Sequence, residues 1–328
     1  MQRYVGDELV EDHRAGRLSR RDLLRQLTGV CGSVAAASVF LAACGDDGAA
    51  APQATSTTST TSTTPGTTTA AASASVAPTS TPATASTVVT PKGAVLSVAA
   101  DDPAVRGANV TFAGPTGTVL AYAARPASAG TRAGVLVVHE NRGLTDHIRD
   151  VTRRLAKAGY LALAVDLSSR AGGTDKAGDS VTTALTVGNP EDRVADLDAG
   201  LAYLRTQPDF NGKLGITGFC YGGGVTLLYA ASQPAVLAAV PYYGTPPSPI
   251  SVMRSSKAAF LAHYGSTDAR VTSTMADLDA AIAGTTHEFV VHDGAGHAFN
   301  NDTGGAYNEG AAVAAWKRTV EWFATYLR

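Results

Sequence analysis

A cysteine between two glycines most constrains what this chain can fold into. Cys220 lies in the run Gly-Phe-Cys-Tyr-Gly from 218 to 222, after a strand-like stretch and before a helix-compatible segment. On a tight strand-to-helix turn, the flanking side chains are pressed into the backbone, so small residues are needed two positions away on each side. Gly218 and Gly222 meet that demand. Because the helix N-terminus that follows favours a thiolate, the pattern predicts that Cys220 is a nucleophile.

The chain around Cys220 alternates between apolar strand patterns and helical periodicity. Such alternation predicts a mostly parallel sheet with helices on both faces. Three predicted strands precede the alternating part, separated by turn residues. The predicted strands are 94–99, 109–112, 119–123, 135–139, 160–165, 214–218, 236–243, 260–264 and 288–292, and the predicted helices are 146–158, 191–205 and 309–327.

Two polar residues follow later strands of the predicted sheet. Asp268 comes soon after the strand at 260–264, and His297 follows the strand at 288–292. Ligands of parallel sheets bind at the carboxyl ends of the strands, so these side chains are predicted to meet near Cys220. His297 would take the thiol proton, and Asp268 would orient the imidazole and stabilise its cation. By itself, an Asp after a strand is more often a turn former.

The chain order of Cys220, Asp268 and His297 resembles that of α/β-hydrolases, in which the nucleophile precedes the acid and the histidine. This resemblance implies the α/β-hydrolase fold. It also implies an oxyanion hole formed by two backbone N–H groups, one after the third strand of the sheet and one directly after the nucleophile. In this chain those groups belong to Asn141 and Tyr221.

Four segments together resemble the dienelactone hydrolase family: Val-His-Glu-Asn-Arg-Gly at 138–143, Gly-Phe-Cys-Tyr-Gly-Gly at 218–223, Tyr-Tyr-Gly at 242–244 and Gly-Ala-Gly-His-Ala-Phe at 294–299. The resemblance implies hydrolysis of a small ester or lactone (carboxymethylenebutenolidase-like), through a thioester on the cysteine and without a cofactor or metal. It places the triad on Cys220, Asp268 and His297. It also gives Glu140 a role in forming the thiolate, whereas a structural salt bridge from Glu140 to Arg142 or Arg149 is the alternative.

The chain departs from this family where the substrate carboxylate is bound. Family members that degrade aromatic compounds use arginines for this purpose, one of them shortly after the catalytic histidine. Here that stretch reads Phe-Asn-Asn-Asp at 299–302, and Arg170 is the only arginine in the segment 168–190 where another would lie. The sequence therefore predicts the reaction type and leaves the physiological substrate open.

The N-terminus predicts export. Arg20 and Arg21 form a twin-arginine motif, followed by an uncharged, Ala-, Val- and Leu-rich stretch from 26 to 43. This pattern is typical of a twin-arginine signal, so 1–43 is predicted to be an export signal. A transmembrane helix is the alternative, although the stretch is short for a bilayer span and is diluted by glycine and hydroxyl residues.

A lipid anchor is predicted directly after this signal. Leu-Ala-Ala-Cys at 41–44 resembles the lipobox of bacterial lipoproteins, in which the cysteine is lipidated, although a chance match in an Ala-rich stretch is the alternative. Residues 44–92 are almost entirely Thr, Ser, Ala and Pro, and such a segment buries too little apolar surface to order. They are predicted to tether a single hydrolase domain, 93–328, to the outer side of the membrane. Cys220 is the only cysteine in the sequence of that domain.

The composition limits the classes of partner. With 26 basic and 28 acidic residues the chain has a net charge of −2, and no basic patch points to nucleic acid. The sequence does not decide the oligomeric state. One alternative function stays open, a tethered binding or redox-sensing module on the same fold, because an exported thiol beside a histidine can react with oxidants.

Overall fold

The computed structural model describes residues 18–31, 95–185 and 189–328, together with the single residues Gly6, Leu9, Val10, His13, Ala36 and Ala37. Within these residues eight strands form one sheet, in the order β1-β2-β4-β3-β5-β6-β7-β8. The first two strands pair antiparallel, β2 pairs antiparallel with β4, and the pairs from β4 to β8 are parallel. The strands are β1 Val105–Gly114, β2 Gly117–Pro126, β3 Arg132–Val138, β4 Leu161–Val165, β5 Phe210–Phe219, β6 Val236–Tyr242, β7 Ala259–Gly265 and β8 His287–His292.

Helices connect the parallel strands, as the alternating pattern predicts. The α-helices are α1 Arg20–Cys31, α2 Asp146–Lys157, α3 Thr174–Ala177, α4 Val181–Ala184, α5 Pro190–Arg205, α6 Tyr221–Ser232, α7 Ala269–Thr272, α8 Met275–Ala281 and α9 Glu309–Tyr326. Short 3-10 helices lie at Ser169–Ala171, Gly178–Ser180 and Ile250–Ser255. Helix α5 begins at a proline that follows a capping box between Asn189 and Asp192.

The central strands are apolar on both faces because helices cover both faces of the sheet. Along β3, Val135 and Val137 pack into one apolar cluster, which includes residues of α2 and α9. The alternate residues, Leu136 and Val138, pack into a second cluster with α5 and α6. This arrangement confirms the predicted mostly parallel sheet between two helical layers.

Residues 94–99 were expected to form a strand, and this prediction is wrong. The described residues of this stretch form a turn and irregular backbone before β1. The backbone of Val98 is instead bound by side chains of α2: its N–H donates to Asp150 at 2.7 Å, and its carbonyl accepts from Arg153 at 2.7 Å. These contacts satisfy the polar groups that a strand would have presented to a neighbouring strand.

Helix α1 contains the predicted twin-arginine pair. Arg20 and Arg21 are exposed in its first turn, whereas Leu23, Leu27 and Val30 are buried in the apolar cluster of α5 and α6. In the part of the chain that the structure describes, no helix is both long and apolar enough to cross a membrane. Cys44 and residues 44–92 lie outside the described residues, so the export, anchor and tether predictions stay predictions.

Candidate active site

Cys220 lies on the turn between β5 and α6, in the backbone conformation that the flanking glycines predict. Its φ of 57° and ψ of −120° lie in a strained region for a residue with a side chain. A Cβ on Gly218 would come within 2.3 Å of the Gly222 carbonyl oxygen, and one on Gly222 within 2.3 Å of the Val138 carbonyl oxygen. The turn therefore tolerates no side chain at either glycine, and it presents Cys220 at the start of a helix.

Asp268 and His297 meet, although 29 positions separate them. Their loops follow β7 and β8, which pair in parallel. The distance from His297 Nδ1 to Asp268 Oδ2 is 2.6 Å, and both side chains are buried. The other oxygen, Oδ1, accepts the Val271 N–H at 3.4 Å, so Asp268 also caps α7. An imidazole bound in this way carries its proton on Nδ1, which leaves Nε2 as the basic nitrogen.

Tyr243 is a common neighbour of three predicted site residues, His297, Glu140 and Cys220. Its ring centroid lies 5.1 Å from that of His297. Burial raises the pKa of Tyr243 well above its ordinary value, and electrostatic interactions with Glu140 and Cys220 raise it further. The ends of β3, β5, β6 and β8 therefore converge around one tyrosine ring, which stays a neutral phenol at physiological pH.

Glu140 directly follows His139 after β3 and is 5% exposed. One carboxylate oxygen, Oε2, accepts a hydrogen bond from Asn301 Nδ2 at 2.6 Å. Arg149, one of the two salt-bridge partners considered from the sequence, instead lies 3.3 Å from Asp146 and 3.9 Å from Asp175. The loop that carries His297 thus also holds Glu140.

A buried charge network anchors this histidine loop to helix α2. Asp302 Oδ1 is 2.8 Å from His147 Nδ1, and Arg154 bridges Asp302 and Asp150. Burial alone would raise the pKa of Asp302, but the hydrogen bond from His147 and the charge of Arg154 hold it well below its ordinary value. Because Asp302 follows Asn301 directly, the network also fixes the amide that binds Glu140.

The two predicted oxyanion donors lie on adjacent elements. Asn141 is in the turn after β3, and Tyr221 is the first residue of α6; both are buried. Strands β3 and β5 are neighbours in the sheet, so the two residues approach from adjacent strand ends. The role of their N–H groups as oxyanion donors stays a prediction.

The segment between β4 and α5 contains Arg170, whose guanidinium group binds carboxylates of α5. It lies 3.0 Å from both Asp192 Oδ1 and Asp196 Oδ1. Its charge is therefore matched by the protein itself and is not presented to a ligand. Among the residues that the structure describes, no group of three or more His, Cys, Asp or Glu side chains is arranged to hold a metal ion.

Sequence patterns missed the contacts that hold the site residues in place. Asn301 binds Glu140 across 161 positions, and no periodicity or local motif indicates such a pair. Its position four residues after His297 indicates that it lies on the same loop, but it does not indicate the contact with Glu140. The imidazole of His263 is fully buried, with its ring against those of Tyr242 and His292.

The fold and this site define an α/β-hydrolase. The sheet order, the helices on both faces and the strained cysteine after the fifth strand are its structural marks. The chain belongs to the dienelactone hydrolase family, whose model matches residues 119–327.

Named relatives agree with this assignment. A putative carboxymethylenebutenolidase of Methylorubrum extorquens is 37% identical over 254 residues, which cover 73% of this chain and 87% of that protein. A probable 2-oxo-3-(5-oxofuran-2-ylidene)propanoate lactonase of a Bradyrhizobium species is 34% identical, covering 61% of this chain and 87% of that protein. The crystal structure of a putative dienelactone hydrolase from Klebsiella pneumoniae matches with a TM-score of 0.62 and 36% identity, covering 68% of this chain and all of that one.

The family settles the class of reaction. The protein is an enzyme that hydrolyses ester or lactone bonds. A non-catalytic binding or redox-sensing module, the alternative considered from the sequence, is not favoured by these similarities.

Proposed function

We propose that this enzyme hydrolyses a small carboxylic ester or lactone through a Cys220–Asp268–His297 triad and a thioester intermediate. The observation that carries the proposal is the buried pair of Asp268 and His297, 2.6 Å apart, at the same sheet edge as the strained Cys220. Each residue type has a distinct part in the chemistry. A thiolate attacks, an imidazole moves protons, and a carboxylate fixes the imidazole tautomer.

The acylation half begins when His297 Nε2 takes the thiol proton of Cys220. The thiolate adds to the carbonyl carbon, and the N–H groups of Asn141 and Tyr221 stabilise the resulting oxyanion. The carbon–oxygen bond to the leaving group then breaks, and the imidazolium returns its proton to the departing alkoxide. The product of this half is a thioester on Cys220; for a lactone, the released alcohol remains attached to the acyl chain.

The deacylation half repeats these steps with water. His297 takes a proton from the water, the hydroxide adds to the thioester carbonyl, and the carbon–sulfur bond breaks. The proton on His297 then returns to the departing thiolate of Cys220. Ester and water are consumed, and acid and alcohol are formed. The atoms balance, so these steps need no cofactor.

Glu140 acts before the attack in this proposal. By resemblance to the family, its carboxylate contacts the resting cysteine and assists formation of the thiolate when substrate binds, while the thiol proton itself goes to His297. Glu140 is buried, and both Glu140 and Cys220 raise the pKa of Tyr243. The two groups therefore share this neighbour, which supports the role. Asn301 holds the carboxylate in place by donating to Oε2.

The chemistry is tested with aryl esters and lactones on the purified protein. The variants Cys220→Ala and His297→Ala should lose hydrolysis, and mass spectrometry after a rapid acid quench should detect acylated Cys220 in the wild type. Cys220→Ser is the matched control, because it keeps a nucleophilic atom at the same place. Retention of wild-type rates by Cys220→Ala would refute the proposed mechanism.

The proposed location is the outer side of the cytoplasmic membrane or the cell envelope. The supporting observations are the twin-arginine pair Arg20 and Arg21 and the lipobox that ends at Cys44. Two or more acyl chains on Cys44 would anchor the protein stably, where one alone would be marginal. Metabolic labelling with palmitate tests this proposal. Label that persists in the Cys44→Ser variant would refute a lipid anchor on Cys44.

A further inference from the structure

The backbone turn that follows β3 is held by two polar side chains outside the proposed triad. We infer that His139 is a positioning residue of the oxyanion hole: it fixes the Glu140–Asn141 peptide so that the Asn141 N–H points at the substrate oxygen, with Thr182 fixing the next peptide. The inference rests on the proposed function and adds to it the residues that orient its oxyanion donor.

His139 has one hydrogen-bonding pattern open to it. Its Nε2 lies 3.0 Å from the backbone N–H of Leu167, which can only donate, so Nε2 must accept. Its Nδ1 lies 2.7 Å from the Glu140 carbonyl oxygen, which can only accept, so Nδ1 must donate. The ring is therefore neutral, with its proton on Nδ1. Full burial, which lowers the pKa of His139, favours the same neutral form despite the nearby charge of Asp166.

The Glu140 carbonyl oxygen is held from two sides. It accepts from His139 Nδ1 and also from the Gly143 N–H at 3.0 Å. In a trans peptide the C=O and the following N–H point in opposite directions, and the Glu140–Asn141 bond is trans. Fixing the Glu140 carbonyl therefore fixes the direction of the Asn141 N–H, which is the donor proposed for the oxyanion.

The next carbonyl along the turn is fixed in the same way. Thr182 Oγ1, in α4, donates to the Asn141 carbonyl at 3.1 Å, and Thr182 is 5% exposed. Thr174 Oγ1, in α3, accepts from the Leu144 N–H at 2.8 Å. The short helices between β4 and α5 therefore hold the turn from outside, while His139 holds it from the core.

His139 also contacts the second proposed oxyanion donor. Its ring stacks on that of Tyr221, with centroids 6.4 Å apart and planes inclined by 20°. The backbone N–H of Tyr221 is the donor directly after Cys220. A single buried imidazole thus binds the carbonyl of the peptide group that carries one proposed N–H donor and stacks on the residue that carries the other, which explains a polar ring at a fully buried position.

The test compares two substitutions that each keep one half of the imidazole. The amide nitrogen of His139→Asn occupies roughly the place of Nδ1 and can still donate to the Glu140 carbonyl. The amide of His139→Gln reaches the place of Nε2, where it can accept the hydrogen bond from the Leu167 N–H. It leaves the Glu140 carbonyl without its side-chain donor. Full loss of one oxyanion donor costs about 10²–10³ in kcat. We expect His139→Gln to lose at least about tenfold in kcat with KM little changed, and His139→Asn to stay near the wild type.

Two further measurements separate orientation of the oxyanion hole from general damage. Alkylation of Cys220 by iodoacetamide forms no oxyanion, so its rate should be equal in all His139 variants. Binding of an aldehyde inhibitor, which forms a tetrahedral thiohemiacetal on the cysteine, should weaken in step with kcat. Equal losses in His139→Asn and His139→Gln, no loss in His139→Gln, or a matching loss of the alkylation rate would overturn the inference.

Thr182 gives a second test should the buried His139 variants fail to fold. Thr182→Val removes the hydroxyl at nearly constant volume, and Thr182→Ser keeps it. The valine variant should lose kcat and aldehyde affinity at an unchanged alkylation rate, and the serine variant should recover them. A valine variant with wild-type kcat would overturn the inference. If wild-type activity instead survives Cys220→Ala, the proposed mechanism itself fails, and that outcome is distinct from all of these.

Discussion

Replacement of Asp268 by asparagine gives the sharpest test of how His297 works, because Asp268 uses its two oxygens differently. Oδ1 accepts the Val271 N–H at 3.4 Å, and Oδ2 contacts His297 Nδ1 at 2.6 Å. In Asp268→Asn the amide oxygen stays with Val271, so the NH₂ group faces His297. An NH₂ group can only donate, so Nδ1 must accept, and the ring proton moves to Nε2.

An imidazole with its proton on Nε2 cannot take the thiol proton of Cys220. In a serine-hydrolase triad the corresponding substitution lowers kcat about 10⁴-fold, which is about 5.5 kcal/mol of transition-state stabilisation. We expect a loss of this order for Asp268→Asn. The stability of the fold should change little, because the oxygen that caps α7 is kept. Asp268→Ala is the matched control, since it also removes the cap and should cost a further ~1 kcal/mol of folding free energy.

The assay is the initial rate of aryl-ester hydrolysis, with thermal unfolding measured on the same samples. Nitrogen-15 NMR of the His297 ring reports its tautomer directly. The reasoning fails if Asp268→Asn keeps kcat within about tenfold of the wild type. It also fails if the ring of the variant keeps its proton on Nδ1.

Three further predictions follow from single contacts. Gly222→Ala, whose Cβ would meet backbone oxygens at 2.3 and 2.5 Å, should destabilise the fold by about 1–3 kcal/mol in urea unfolding, whereas Gly284→Ala, with nothing within 4 Å, should not; equal stabilities would contradict the crowding. Asn301→Leu removes the hydrogen bond to the Glu140 carboxylate and should slow iodoacetamide alkylation of Cys220 and ester hydrolysis together, and an unchanged pair of rates would separate Asn301 from thiolate formation. The lowered pKa of Asp302 contributes stability that is complete above about pH 4, which is the pKa of this group in the unfolded chain, and that is lost as pH falls through the lower folded pKa. The free energy of unfolding in urea should therefore decline below about pH 4, and the decline should be smaller in Asp302→Asn.

Much of the fold could be predicted because its signals are local. The apolar strands from 135 to 292 and the helices at 146–158 and 191–205 lie within a few residues of their predicted bounds. The stretch 94–99 shows where local patterning fails. Its apolar residues have the pattern of a strand, but in the structure side chains of α2 bind the backbone of Val98, and the described part of the stretch pairs with no strand.

Helix α9 shows a second limit of periodicity. The sequence pattern of this helix predicts Val313, Trp316, Val320 and Phe323 on its core face. Phe323 is fully buried as predicted, whereas the other three are only partly buried. The buried face consists of Ala311, Ala312, Ala315, Thr319, Trp322 and Phe323. Small residues let a helix approach a sheet closely, so the face was set by the space available and not by side-chain hydrophobicity alone.

The sequence by itself determined the positions where the chemistry is proposed to occur. Glycines around Cys220 are required by a strained turn, and the order of Cys220, Asp268 and His297 follows from strand ends, so both can be recognised locally. Only the tertiary structure decided what holds these groups. Asn301 reaches Glu140 across 161 positions, and His139 finds the Leu167 N–H across 28. Such pairs form because the sheet brings distant loops to one edge, where buried polar groups must satisfy one another.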